Sequence, residues 1–173
     1  MFYNKKRGFT VLETVTSIAV FSIMLMFSIP YFHKHMANIE AKTVQNTLIS
    51  SLQIAKNQAS IYHTNVVVCS SENGQSCQRS NWENGLIIFF DRNNNRQLDM
   101  NEKLIKTEAT NLKYGSLSWK GTLNSASITF NGLYGFPIGY NGSFYYCSYQ
   151  DIPHKRLVLS KMGHIRVEHP EKC

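Results

Sequence analysis

Hydrophobic and polar positions change character along the chain. From Thr14 to Phe32 no residue is charged, a run of 19 residues. As a helix this run spans about 28 Å, enough to cross the hydrocarbon core of a bilayer. From about Tyr31 to Tyr62 the pattern becomes periodic. Ala41, Val44, Leu48, Leu52, Ala55, Ala59 and Tyr62 recur at three- and four-residue steps, while Lys42, Gln45, Asn46, Gln53, Lys56 and Asn57 fall largely on other faces. One long helix is expected, its first half in lipid and its second half packed on a domain. His33-Lys34-His35 marks its emergence at the membrane surface, and Pro30 kinks it by removing a backbone hydrogen bond.

After Tyr62 the pattern turns to short β-rich runs with turn clusters between them. Candidate strands are Asn65–Cys69, Leu86–Phe90, Lys103–Thr107, Ser127–Phe130, Phe144–Ser148, Leu157–Leu159 and Ile165–Val167. No helical pattern separates them, so the sheet is antiparallel. The fold class is α+β, one helix stripe covering one face of a sheet. About 140 residues follow the apolar run, enough for a single compact domain.

The flanks of the apolar run carry the chemistry. Lys5-Lys6-Arg7-Gly8 precedes it, and Glu13 stands near its start. The basic head places the N-terminus in the cytoplasm and the remaining chain across the membrane. A secretory signal peptide fits less well: its apolar region is about 7–15 residues and ends at a small-residue cleavage site. Here the small residue, Gly8, comes before the run, and no Ala-x-Ala follows it. A carboxylate at membrane depth is costly and calls for a partner. The simplest partner is a positive charge on another copy of such a helix.

Gly8-Phe9-Thr10-Val11-Leu12-Glu13 resembles the processing site of type IV prepilins and type II secretion pseudopilins. The resemblance implies cleavage after Gly8 by a prepilin peptidase, N-methylation of Phe9, and pairing of Glu13 with the Phe9 ammonium of a neighbouring subunit. Pro30 falls where pilins commonly carry a proline. Trp82-Glu83-Asn84-Gly85, then Phe89-Phe90-Asp91-Arg92-Asn93, resembles the GspH/FimT branch. So do Ile128-Thr129-Phe130-Asn131…Gly135, Gly142-Ser143-Phe144-Tyr145-Tyr146-Cys147, and Leu157-Val158-Leu159-Ser160…Gly163. The implied organisation is type IV pilin-like: a leader (1–8), a transmembrane assembly helix (9–32), its amphipathic continuation (33–63) and a β-rich domain (64–173). The resemblance implies a single-pass protein of a Gram-negative inner membrane, its domain periplasmic, that later enters a pilus or pseudopilus beside major and minor pilins. The function implied is that of a minor pilin in a priming or tip complex, supporting pilus assembly, twitching and DNA uptake. The rival within the resemblance is a minor pseudopilin of type II secretion. A different role is a DNA receptor at the pilus tip.

Charge adds little. The leader holds three of the 18 basic residues and none of the 11 acidic ones, so its removal takes the net charge from +7 to +4. That balance permits contact with nucleic acid without demanding it. In FimT-like competence pilins a Gly-Arg-x-Arg element near the C-terminus is implicated in binding double-stranded DNA. Here Gly163 and Arg166 match, but His164 replaces the first arginine; Lys155, Arg156 and Lys161 extend the candidate surface. Any DNA affinity is expected to be weak, salt-sensitive and greater below about pH 6, where histidines charge.

Cys69, Cys77, Cys147 and Cys173 all lie beyond the membrane run, in an oxidising compartment. Three pairings are possible. Cys69–Cys77, closing a short polar loop, and Cys147–Cys173, tying the last residue to a strand, are favoured. Asp91-x-Asn93-x-Asn95-x-Gln97-x-Asp99-x-x-Glu102 spaces its oxygens as a calcium loop does, yet Arg96 stands where such a loop needs glycine. A polar β-connection held by Asn and Asp turn bonds is the expectation. The histidines are scattered, and no nucleophile–base pair or phosphate loop stands out. Neither enzyme activity, a metal nor a cofactor is expected.

Overall fold

The computed structural model describes Gly8 and residues 10–173; residues 1–7 and Phe9, on which most of the leader and the N-methylation expectation fall, lie outside the described residues. One helix, α1, runs from Val11 to Tyr62 and stays helical through position 30. At about 1.5 Å per residue it is roughly 78 Å long. Thr10 starts it: in extended conformation, its hydroxyl accepts the Glu13 N–H at 3.3 Å. His63, left-handed at φ 48°, ends it.

Its two halves differ in burial. Residues 10–26 are exposed, as are Tyr31–His35. From Ala37 onward one stripe is buried: Ala37, Ala41, Val44, Leu48, Leu52, Ala55 and Ala59. Apart from Ala37, which the periodicity does not pick out, these are its positions; of those it names, Tyr62 is missing. That residue is 60% exposed, its ring set edge-on to Phe90 at 5.2 Å.

Eight strands follow: β1 (Val66–Ser70), β2 (Gly85–Phe90), β3 (Leu104–Ala109), β4 (Gly115–Gly121), β5 (Ser127–Phe130), β6 (Gly142–Ser148), β7 (Lys155–Leu159) and β8 (Ile165–Glu168). All pairings between them are antiparallel. They form two four-stranded sheets, ordered β3-β2-β1-β5 and β4-β6-β7-β8, where the sequence reading expected one. The missing strand was β4. Ser116-Leu117-Ser118-Trp119-Lys120 alternates polar and apolar residues as a strand does, but it is short, flanked by Gly115 and Gly121, and is not among the candidate strands. Gly115 is required there by close approach, since a Cβ would lie 2.6 Å from the Tyr146 ring.

In the first sheet Val66, Val68, Leu86, Ile88, Ile128 and Phe130 join the core against α1. Val67, Cys69, Ile87 and Phe89 form a second cluster on the other face, covered by Cys77 and Leu98. With both faces covered, β2 is buried along its whole length, which explains its unbroken apolar sequence. The second sheet adds Leu117, Phe144, Tyr146, Leu157 and Leu159 to the helix-side core. Trp82 packs edge-on to Phe144 at 4.9 Å, and Trp119 lies 4.6 Å from the same ring. Both tryptophans are therefore core residues.

Candidate functional site

The exposed half of α1 is the first feature. Val11, Leu12, Val15, Ile18, Phe21, Ile23, Met24 and Leu25 all project outward with no part of the domain over them. The segment is long and apolar enough to cross a membrane. Glu13 sits in its first turn, exposed, where a negative charge suits the positive end of the helix dipole. Among the described residues no cation pairs with its carboxylate.

The buried half of α1 is fastened by Glu40, which the sequence reading did not single out. Its carboxylate accepts the backbone N–H groups of Lys113 (2.7 Å) and Tyr114 (3.0 Å) and the hydroxyl of Tyr146 (2.9 Å). The loop entering β4 and the strand β6 are thereby held to one helix position. Burial first, then this bond to Glu40, push the Tyr146 phenol well above its ordinary value.

The proposed DNA-binding residues lie on the β7–β8 hairpin, but on different sides. Arg156 and Arg166 both reach Glu168, at 3.3 and 2.7 Å, and Arg156 also stacks over Tyr145 at 5.3 Å. Lys161, Gly163 and His164 form the turn. Gly163 adopts φ 73° and donates its N–H to the Ser160 carbonyl, and a Cβ on it would crowd Lys56 at 3.3 Å. Lys155 shares its side of β7 with buried Leu157 and Leu159, and donates to Gln45 of α1 at 2.7 Å. The hairpin thus gathers Arg156 with Arg166, and Lys161 with His164, but turns Lys155 toward the helix.

The Asp91–Glu102 segment closes on itself. Asp91, 1% exposed, accepts the N–H groups of Asn95 and Arg96, each at 3.1 Å. Asp99 accepts the side-chain amides of Asn93 and Asn95, each at 2.7 Å. Glu102 accepts the N–H of Arg92 at 2.8 Å. These are the turn bonds expected of a polar β-connection. Burial, opposed in part by the Arg96 N–H, raises the Asp91 carboxyl above its usual range. Both favoured disulfides form: Cys69–Cys77 closes the loop after β1, and Cys147–Cys173 pins the last residue to β6.

A long helix, half naked and half buried in an antiparallel domain, is the architecture of type IV pilin-like subunits. The crystal structure of the type IV minor pilin FimU from Pseudomonas aeruginosa in space group P21 superposes with a TM-score of 0.58 at 17% identity, covering 79% of this chain and 96% of that one. Its P65 form gives 0.54 at 17% identity, covering 76% and 98%. These likenesses establish the fold. No curated protein sequence matches the chain. A family model described as "Type II transport protein GspH" matches residues 45–163, and the chain belongs to that family. Its members are structural pilin-like subunits rather than enzymes.

Proposed function

We propose that the chain is a minor pilin that waits in the inner membrane as a precursor, is cut after Gly8, and enters a type IV pilus through residues 9–62. The observation that carries this reading is the division of α1. Its first 16 residues are exposed and apolar around one carboxylate, while the stripe from Ala37 is sealed into the domain. A surface of that kind is stable in lipid or among like helices and unstable in water. Cleavage frees an ammonium on Phe9, and in hydrocarbon its pairing with Glu13 of the adjoining subunit selects the axial register. The domain, residues 64–173, is displayed outward, and the priming or tip complex is its place in the fibre. Mass spectrometry of the chain from sheared filaments tests this. The expected N-terminus is N-methylated Phe9; a retained leader sinks the reading.

A second reading is supported by the family description, which is that of a type II transport protein. In it the same helix builds a pseudopilus. Deletion separates the two, since a pilus subunit costs piliation, twitching or DNA uptake, and a pseudopilin costs enzyme secretion.

A further inference from the structure

The end of the domain from which α1 emerges carries lysines on α1, on the connection into β4 and on β7. Lys34 and Lys42 lie eight residues apart on α1, about 80° apart around its axis, and both are exposed. Lys113 stands in the connection into β4, where Glu40 holds its backbone at 2.7 Å. Lys155 begins β7, with its ammonium on Gln45 at 2.7 Å. Two acids lie among these four lysines, and neither is free. Asp151 pairs with Lys34 at 3.1 Å, and Glu40 is engaged by two N–H groups and a phenol. Burial, and then the charge of Lys42, pull the Lys155 ammonium below its ordinary value. Exposed aromatic rings surround the same end: Tyr31 and Phe32 on α1, and Tyr149 after β6.

We infer that Lys34, Lys42, Lys113 and Lys155 form a collar that seats the domain on anionic phospholipid headgroups while the precursor waits in the membrane. This rests on the reading that the apolar half of α1 is in the bilayer. The geometry matches. The apolar run ends at Phe32, and Lys42 lies about 15 Å farther along the helix axis. A headgroup layer of roughly 5–8 Å plus a screening length of about 8 Å reaches Lys42, while Lys155, held on Gln45 about 20 Å along, feels only the screened field beyond it. Lysine stems extend the reach, and tyrosine is a residue of membrane interfaces. Each lysine near an anionic surface strengthens attachment roughly five-fold, and salt weakens it. The collar holds the domain against the membrane until extraction into the fibre strips the lipids away.

The test uses the full chain in lipid nanodiscs made either of phosphatidylcholine alone or of phosphatidylcholine with phosphatidylglycerol. An amine-reactive reagent is followed lysine by lysine by mass spectrometry. The expected result is labelling of Lys42, Lys113 and Lys155 several-fold slower on the anionic discs, restored by high salt, with Lys103 and Lys161 unchanged. A K42Q/K155Q double variant should lose protection at Lys113, and K42R/K155R should keep it. Equal labelling on both discs overturns the collar while leaving the membrane helix intact. Failure of the chain to enter either disc overturns the membrane reading, and the collar with it. Protection by added duplex DNA on phosphatidylcholine discs, without protection by anionic lipid, overturns the collar and makes this face a nucleic-acid surface.

Discussion

The hydroxyl of Tyr146 on β6 donates to the carboxylate of Glu40 on α1 across 2.9 Å and 106 positions of sequence. That bond, with the two backbone N–H groups at the entry to β4, links the helix to the second sheet near the point where the helix leaves the domain. Removing the carboxylate strands a buried phenol and two donors, and such losses run to about 1–3 kcal/mol. Glu40→Ala is therefore expected to destabilise the full chain in detergent by about 2 kcal/mol in denaturant unfolding. Glu171→Ala, on the exposed tail, should change it little.

Tyr146 and Asp91 bias the pH dependence in the same direction, each in its own pH window. Tyr146 has its pKa raised above 10.0, by burial first and Glu40 second. The folded state holds that proton more tightly than the unfolded chain, so its contribution is complete below about pH 10 and is lost as pH rises further. Asp91 is likewise raised, by burial first. Its contribution is present below about pH 4 and is lost as pH climbs through the folded value. Tyr146→Phe should flatten the falling alkaline limb of a melting-temperature profile, whereas Asp91→Asn should steepen the rise of its acid limb, because the wild-type carboxyl opposes that rise. An unchanged difference from wild type across either limb would contradict the assignment.

The C-terminal disulfide closes a separation of 26 residues and fixes the chain end beside β6. The chain-entropy relation gives about 3.5 kcal/mol for such a loop. Cys173→Ser, at an exposed position that leaves no core cavity, should cost about that in denaturant unfolding, and should make residues 165–173 exchange amide hydrogens faster.

Much of this architecture was readable in advance. Ala41 through Ala59 announced the buried stripe by their spacing, and Ser127–Phe130 matches β5 residue for residue. What escaped notice depended on partners far away in the chain. Gly115–Gly121 has only the short alternation of Leu117 and Trp119 as a local signal, and its strand is fixed by pairing with β6 along seven residues. The division into two sheets follows from that strand. Glu40 looked like one more charge on a helix face, since nothing near it in sequence names the loop and the phenol that it binds. The tail arginines were visible as a cluster, but their sharing of Glu168 arises only from the β7–β8 register.

Glu13→Ala should leave the folded domain untouched, because the carboxylate has no partner among the described residues. Its effect belongs to assembly. Loss of the intersubunit pairing is expected to lower the amount of this subunit in sheared filaments by about ten-fold or more, as befits a charge pair in hydrocarbon. Quantitative mass spectrometry of filaments, set against an unchanged level in the membrane fraction, reads the outcome.

Glu168 restrains whatever affinity for DNA the hairpin has. Its carboxylate holds Arg156 at 3.3 Å and Arg166 at 2.7 Å and so offsets part of the positive charge they offer a phosphate. Glu168→Gln removes one negative charge and releases both. Phosphate contacts are counted by the salt dependence of binding, with a slope of about −0.9 per contact on duplex DNA. If the hairpin is a DNA surface, the variant should bind duplex several-fold more tightly at low salt, with a slope steeper by about one to two units. Arg166→Ala should return the slope toward that of the wild type. A variant whose affinity and slope match wild type would place DNA contact elsewhere on the protein, and would leave the Arg156–Glu168–Arg166 triad as a clasp that fastens the last strand to its sheet.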